Sequence, residues 1–483
     1  MNKRSICILG ILFMLLSYHA IAKGKQPNIL FCIADDWGAH AGAYGDKVVK
    51  TPTFDRLAKE GILFENAYIS SPSCAPSRAA ILSGQWHWRL EEAANLCGPI
   101  PAGTPFYTDI LENAGYFVGY TRKGWAPGRV PKGQQNPAGK RFKDFAKFLE
   151  ARPKDEPFCF WFGSSDPHRG YEAGSGAKSG IPIDKINVPA CFPDSPEVRN
   201  DIADYYYEVQ RFDRECGTLI EMVRSIGELE NTIIVMTSDH GMPFPRCKSN
   251  IYDDGAHVPL AIHWPGHYEG GRRITDFVSS TDFAPTFLTA AGLIVPQVMT
   301  GKALIPQLTA GRSGRINPAR NSVLFGKERH VPSQRDDMSG YPCRALRTDD
   351  YLLIRNLTPG RMPAGTDDWQ NAAIKGAWYA DCDNGPTKTY MIENRNKDAE
   401  HKRLFELAFS QRVEFELYSI KKDPDQQHNL IANPEYAEEF KALAKQLDDE
   451  LRETGDPRII GGGEKFDTFK YTGSVPRHPQ FKK

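Results

Sequence analysis

The chain has 483 residues, enough for two or three average domains or one large α/β unit with an appendage. Its 60 basic and 60 acidic residues cancel, which excludes a global field built for nucleic acid or an anionic membrane but leaves room for local anion sites. Hydrophobic residues at 40% and aromatics at 11% belong to a folded globular protein, not a disordered one.

At the N-terminus, Lys3-Arg4 precede an apolar run from Ile6 to Leu16 and the small residues Ala20-Ile21-Ala22. This reads as a secretory signal peptide over residues 1–22, cut after Ala22, since the run is too short to cross a bilayer comfortably. No second run is long enough for a membrane helix, so the chain is expected to be exported, periplasmic or secreted, with no stable membrane anchor. Export permits disulfides among the ten cysteines. Cys32 and Cys159, however, lie in apolar strand-like runs and read as buried thiols.

Apolar runs then alternate with helical stretches. Ile29–Ala34 ends at Asp35-Asp36, Phe158–Phe162 ends at Asp166-Pro167-His168, and Thr232–Thr237 ends just before Asp239-His240. Continuous β-branched and aromatic runs of this kind fit strands of a mainly parallel sheet covered by helices on both faces. Open α/β sheets place their sites just beyond the carboxyl ends of such strands. Helices are expected over Thr53–Glu60, Pro105–Ala114 and Ile202–Ile226. A second region opens at Thr348, with strands at Tyr351–Arg355 and Glu414–Tyr418 and an amphipathic helix over Ala437–Arg452. The expected organisation is thus a catalytic domain over residues 23–347 and a C-terminal subdomain over residues 348–483.

Between the first and second of those strands lies Ser71-Pro-Ser-Cys-Ala-Pro-Ser-Arg78, followed by Ala79-Ala80-Ile81-Leu82-Ser83-Gly84. A cysteine at a helix start, with an arginine one turn on, is placed where N–H groups and a cation favour negative charge. The pattern C-x-P-S-R with A-x-L-S-G resembles the signature of type I, formylglycine-dependent sulfatases of the alkaline phosphatase superfamily. Asn28-Ile29-Leu30, Asp35-Asp36-Trp37-Gly38, Lys123, Asp166-Pro167-His168-Arg169, Ser238-Asp239-His240-Gly241 and Lys248 match further family motifs in order. The resemblance spans Pro27 to about Asn429. The subgroup it resembles most is the heparan N-sulfatase type, through Gly241-Met-Pro-Phe-Pro245, Lys248-Ser-Asn-Ile-Tyr252 and Gly340-Tyr-Pro-Cys-Arg344.

What this resemblance implies is an alkaline-phosphatase-like fold with a small C-terminal α+β subdomain carrying an antiparallel sheet. It implies that Cys74 is converted to formylglycine by a maturation enzyme, and that one hydroxyl of the hydrated aldehyde attacks sulfur. The second hydroxyl then expels sulfate by collapse of the hemiacetal. Asp35, Asp36, Asp239 and His240, with Cys74, form the implied divalent metal set. Ca²⁺ is the ion the family usually carries, although histidine is an unusual ligand for it. Arg78, Lys123 and Lys248 match the positions that hold the nucleophile and the sulfate oxygens, and His168 the position that protonates the leaving group.

One position departs from the pattern. Trp125 stands where the family has a histidine, and an indole cannot act as a base. His40, His87 and His257 are the candidates to replace it. Arg329, His330 and Arg344 are expected to meet the hydroxyls or uronate of the sugar. The expected substrate is a sulfated poly- or oligosaccharide, either an algal glycan such as ulvan or a heparan-type chain. An N-sulfatase proper, a formylglycine-dependent phosphonate or phosphodiester hydrolase, and a non-catalytic glycan-binding relative are the alternatives; intact Cys74, Arg78 and metal residues weigh against the last.

Overall fold

The computed structural model describes residues 25–482, so the signal peptide expected over residues 1–22 lies outside the described residues. Eight strands form the main sheet: β1 (Asn28–Ala34), β2 (Ile62–Tyr68), β3 (Phe117–Arg122), β4 (Lys140–Arg141), β5 (Phe158–Gly163), β6 (Thr232–Ser238), β7 (Leu260–His263) and β8 (Arg272–Ser279). Their order is β4-β3-β5-β1-β6-β7-β2-β8. All pairings are parallel except those of β7, which runs against both β6 and β2.

Central β1 is buried along its whole length. Ile29, Phe31 and Ile33 face one core while Leu30, Cys32 and Ala34 face the other, the period-2 alternation of a strand covered on both sides. The helix Pro196–Ser225 covers one face through Val198, Phe212 and Cys216. The helices Cys74–Ser83 and Phe283–Ala290 cover the opposite face. This is the mainly parallel sheet between helices that the sequence pattern predicts.

A second sheet, β12-β11-β10-β9, is wholly antiparallel and comprises β9 (Ser322–Lys327), β10 (Cys343–Thr348), β11 (Tyr351–Asn356) and β12 (Phe415–Ser419). The helix Ala437–Glu453 packs on β10 and β11 through Leu443, Leu447 and Leu451, a stripe repeating every four residues. This sheet opens at Ser322, ahead of the Thr348 at which the sequence reading starts the C-terminal region. The short Val-Leu-Phe run of β9 carries no local signal that assigns it to one sheet or the other; its ladder with β10 does.

All nine cysteines among the described residues are unpaired and buried, Cys32 and Cys159 included. Among those residues no helix is long and apolar enough to cross a membrane.

Candidate active site

The topology brings the chemistry to one edge of the main sheet. β3, β5, β1 and β6 are parallel neighbours, with Ala34 paired to Ser238 and Ile33 and Arg122 both paired to Gly163. The residues that follow each strand therefore emerge side by side: Asp35 and Asp36 after β1, Lys123 after β3, Asp166 to Arg169 after β5, and Asp239 and His240 after β6. Backbone bonds tie these loops together. Asp35 N–H donates to the Asp166 carbonyl at 2.9 Å, and Asp36 N–H donates to Asp239 Oδ1 at 3.1 Å. Asp36 adopts a left-handed φ of 75°, a conformation seldom used by residues other than glycine and held here by that bond.

Cys74 opens its helix, which ends at Gly84 in the left-handed conformation with a φ of 64°. The residue before it, Ser73, does not cap the helix through its side chain; its hydroxyl lies 2.8 Å from His330 Nδ1. The Cys74 sulfur sits 3.2 Å from His240 Nε2 and 4.0 Å from Asp36 Oδ1. His240 Nδ1 is 3.0 Å from the Gly241 carbonyl, which can only accept, so Nδ1 carries the proton. In the neutral ring, Nε2 then points a lone pair toward Cys74 and Asp36, the orientation expected of a metal ligand.

Three carboxylates crowd this spot and each has a cation. Lys123 Nζ donates to both oxygens of Asp35, at 2.5 and 2.6 Å. Arg78 Nε donates to Asp239 Oδ2 at 2.7 Å, and Lys248 Nζ donates to Asp36 Oδ2 at 2.8 Å. Burial works against charge on Asp35, but Lys123, helped by His168 and Arg78, holds its carboxyl well below the usual range. Arg78 and Lys123 remain charged for the reciprocal reason: Asp239 and Asp35 outweigh desolvation. Burial pushes the Cys74 thiol far above its ordinary value despite Lys123 and Lys248. An unmodified Cys74 is therefore a neutral thiol at physiological pH, not a nucleophile.

The donor set fits a divalent cation. One ligand atom from each of Asp35, Cys74, Asp239 and His240 lies within 4.8 Å of the others, and Asp36, Cys74 and His168 form a second such group. Carboxylates dominate the set, as a hard ion requires.

Cys74 lines a cavity of about 820 Å³, shared with Lys123, His168, Lys248 and His330. His168 is the most accessible of these, with its side chain 39% exposed; Nδ1 faces the Arg169 carbonyl at 3.0 Å and Nε2 faces Asp36 at 4.0 Å. Burial lowers the His330 imidazolium to about 3, so this ring meets the cavity neutral.

Two expected sugar contacts are corrected. Arg344 is fully buried, its guanidinium held by Asp456 and, at 2.6 Å, by Glu328. Arg329 donates to the carbonyls of Met338 at 3.2 Å and Phe469 at 2.6 Å. Neither reaches the cavity. The candidates to replace the missing histidine are also elsewhere: His40 beside Asp46, His87 against Ser70 Oγ at 2.9 Å, and His257 stacked on Tyr68. Trp125 is buried, and its indole N–H donates to the Ala75 carbonyl at 3.1 Å, bracing the first turn of the Cys74 helix.

Several cavity residues escaped the sequence reading. Asp383 accepts from Lys248 at 2.9 Å. Glu208 and Arg211 project from the Pro196–Ser225 helix, and Arg211 grips both oxygens of Asp166 at 2.5 and 2.6 Å. Tyr471, Gly473, Ser474, Val475 and Pro476 arrive from the C-terminal tail. Only the Glu208-x-x-Arg211 spacing on one helix face was a usable signal.

Comparison with known proteins agrees with this geometry. The Sulfatase family model matches residues 27–139 and 138–293, and the model described as "N-sulphoglucosamine sulphohydrolase, C-terminal" matches residues 244–360. The chain belongs to the sulfatase family. It is therefore a sulfuric ester hydrolase of alkaline-phosphatase-like fold, resembling heparan N-sulfatase. It is 27% identical over 481 residues to an ulvan-active sulfatase of Formosa agariphila, covering 89% of this chain and 76% of the relative. It is likewise 27% identical over 495 residues to human N-sulphoglucosamine sulphohydrolase, covering 91% and 92%. A protein solved in complex with its substrate D-glucosamine-2-N,6-O-disulfate superposes with a TM-score of 0.61 at 22% identity, covering 90% of this chain and 99% of that one.

Proposed function

We propose that this sulfatase removes sulfate from a sulfated saccharide outside the cytoplasm, through a formylglycine made from Cys74 and with a bound divalent cation, Ca²⁺ in the first instance. The observation that carries the reading is the position of Cys74. Its sulfur lies at a helix start, 3.2 Å from a metal-type imidazole and on the wall of a cavity that also receives two lysines. A buried neutral thiol there has no nucleophilic use, whereas a hydrated aldehyde at the same atom would present oxygen to sulfur.

In this reading Lys123 and Lys248 hold the sulfonyl oxygens, whose negative charge grows as the ester bond breaks. His168, with Nδ1 committed to the Arg169 carbonyl, presents Nε2 to the leaving oxygen or nitrogen and supplies its proton. Arg78 fixes Asp239 and the loop after β3 beside the nucleophile. The metal, held by Asp35, Asp36, Asp239 and His240, would supply Lewis acidity at the attacking hydroxyl. Relatives named for ulvan, N-sulfoglucosamine and N-acetylglucosamine-6-sulfate support a glycan substrate. Export, with cleavage after Ala22, belongs to the same reading.

The test is the mass of the Ser71–Arg78 peptide from protein matured with a formylglycine-generating enzyme, together with sulfate release from ulvan and heparan oligosaccharides. Conversion of the Cys74 CH2–SH group to an aldehyde, with sulfur and two hydrogens lost and one oxygen gained, and release from one glycan class are expected. An unmodified peptide, or turnover of phosphonate esters alone, overturns the proposal.

A further inference from the structure

Both family models end well before the tail, at residues 293 and 360, yet the tail reaches the catalytic cavity. Tyr471, Val475 and Pro476 contribute an apolar surface, and Ser474 a hydroxyl, to the same cavity that exposes Cys74. The segment is seated, not draped. Trp378 N–H donates to the Pro476 carbonyl at 3.3 Å, and His478 N–H to the Gly376 carbonyl at 2.9 Å. His478 stacks on Trp369 with ring centres 4.6 Å apart and planes 8° from parallel. On the other side Arg329 holds the Phe469 carbonyl, which is what that arginine does in place of meeting sugar. Gly473 presses on Cys97, so closely that a Cβ there would lie 2.6 Å from the cysteine sulfur.

An apolar wall beside a hydroxyl is the surface that the C–H face and rim hydroxyls of a pyranose ring require. The charges around the cavity are internally matched: Lys248 with Asp383, Arg211 with Asp166, Arg169 with Asp201. Residues 471–476 themselves carry no cation that could follow a polyanionic chain onward. The geometry points to residues 471–476 as the specificity wall of this sulfatase: they pack against a terminal sugar ring and block continuation of the glycan on that side, making the enzyme exo-acting. This inference rests on the saccharide reading of the proposed function.

The experiment compares the wild-type, matured enzyme with His478→Ala, which removes the stacking anchor of the wall, and with Trp369→Ala, which removes the ring that His478 stacks on. Each is given a sulfated oligosaccharide of defined length, and sulfate loss is mapped residue by residue by mass spectrometry. A small aryl sulfate serves as the size-independent control. The wild type is expected to desulfate only the chain terminus. Both variants are expected to lose about tenfold or more of that terminal preference, the scale of a pocket-shape change, while aryl sulfate turnover stays within about threefold. Limited proteolysis at Lys470 and Arg477 verifies that the tail has moved. Internal desulfation by the wild type, or an unchanged terminal preference in variants whose tail is newly cleavable, overturns the wall. Absence of sulfate release from every saccharide, with aryl sulfate still turned over, overturns the saccharide reading instead.

Discussion

Arg78 Nε donates to Asp239 Oδ2 at 2.7 Å with both side chains wholly buried, and the same guanidinium reaches the carbonyls of Lys123 and Gly124 at 3.0 and 3.1 Å. One side chain thus links the helix of the nucleophile, the loop after β3 and a carboxylate of the candidate metal set. Replacing it strands Asp239 among Asp35 and Asp36 with less positive charge to offset their repulsion.

Arg78→Ala is therefore expected to destabilise the fold by about 3–5 kcal/mol, the range for removing one partner of a buried pair. Arg78→Lys should recover part of this but not the fork of bonds to the two carbonyls. Denaturant unfolding measures both. A loss below about 1 kcal/mol in the alanine variant would show that the pair is not structurally coupled.

The metal reading gives a prediction that does not depend on turnover. Asp35, Asp36 and Asp239 each have a cationic partner, so the fold should survive chelation. Adding Ca²⁺ at about 100 times its dissociation constant should then stabilise the protein by about 2.7 kcal/mol. Thermal unfolding of chelated protein against Ca²⁺ and Mg²⁺ gives the answer, and Asp239→Ala should abolish the response. No response to any divalent ion would refute the ligand set.

Much of this site was legible because it follows strands whose apolar runs are unmistakable. Asp35-Asp36 and Asp239-His240 sit directly beyond buried β1 and β6, and parallel pairing makes them neighbours. What could not be read were contacts fixed by distant chain. Arg344 ends a motif that resembles the heparan N-sulfatase type and is expected from sequence to meet the sugar, yet β10 turns it inward to Asp456, 112 residues away. Asp383 and the 471–476 tail stand in loops with no periodicity, so nothing local signals their arrival at the cavity. Trp125 is the converse: the departure from pattern was visible, but its hold on the Ala75 carbonyl was not.

Arg344 carries a prediction opposite to that of a sugar ligand. Arg344→Ala leaves Asp456 and Glu328 buried together and should cost about 3–5 kcal/mol of stability. Turnover of oligosaccharide relative to aryl sulfate should not change in the protein that remains folded. A selective loss on the oligosaccharide at unaltered stability would restore Arg344 to the sugar site.

Glu208 sets a pH dependence whose sign follows from its surroundings. Only 6% exposed, it is raised from an ordinary 4.5 to about 7 by burial first and by Asp166 second, with Arg211 opposing. Between those values the folded protein keeps a proton that the unfolded chain gives up. Stability linked to this group is fully present below 4.5 and is lost as pH rises through about 7. Glu208→Gln keeps the shape and an acceptor for Arg211 but removes the titration. Wild-type unfolding free energy should therefore fall between about pH 5 and about pH 8 by on the order of 1–3 kcal/mol more than that of the variant. Urea unfolding at the two pH values measures the difference. Parallel declines in both proteins would mean that Glu208 is already ionised in the fold and that Arg211 dominates its environment.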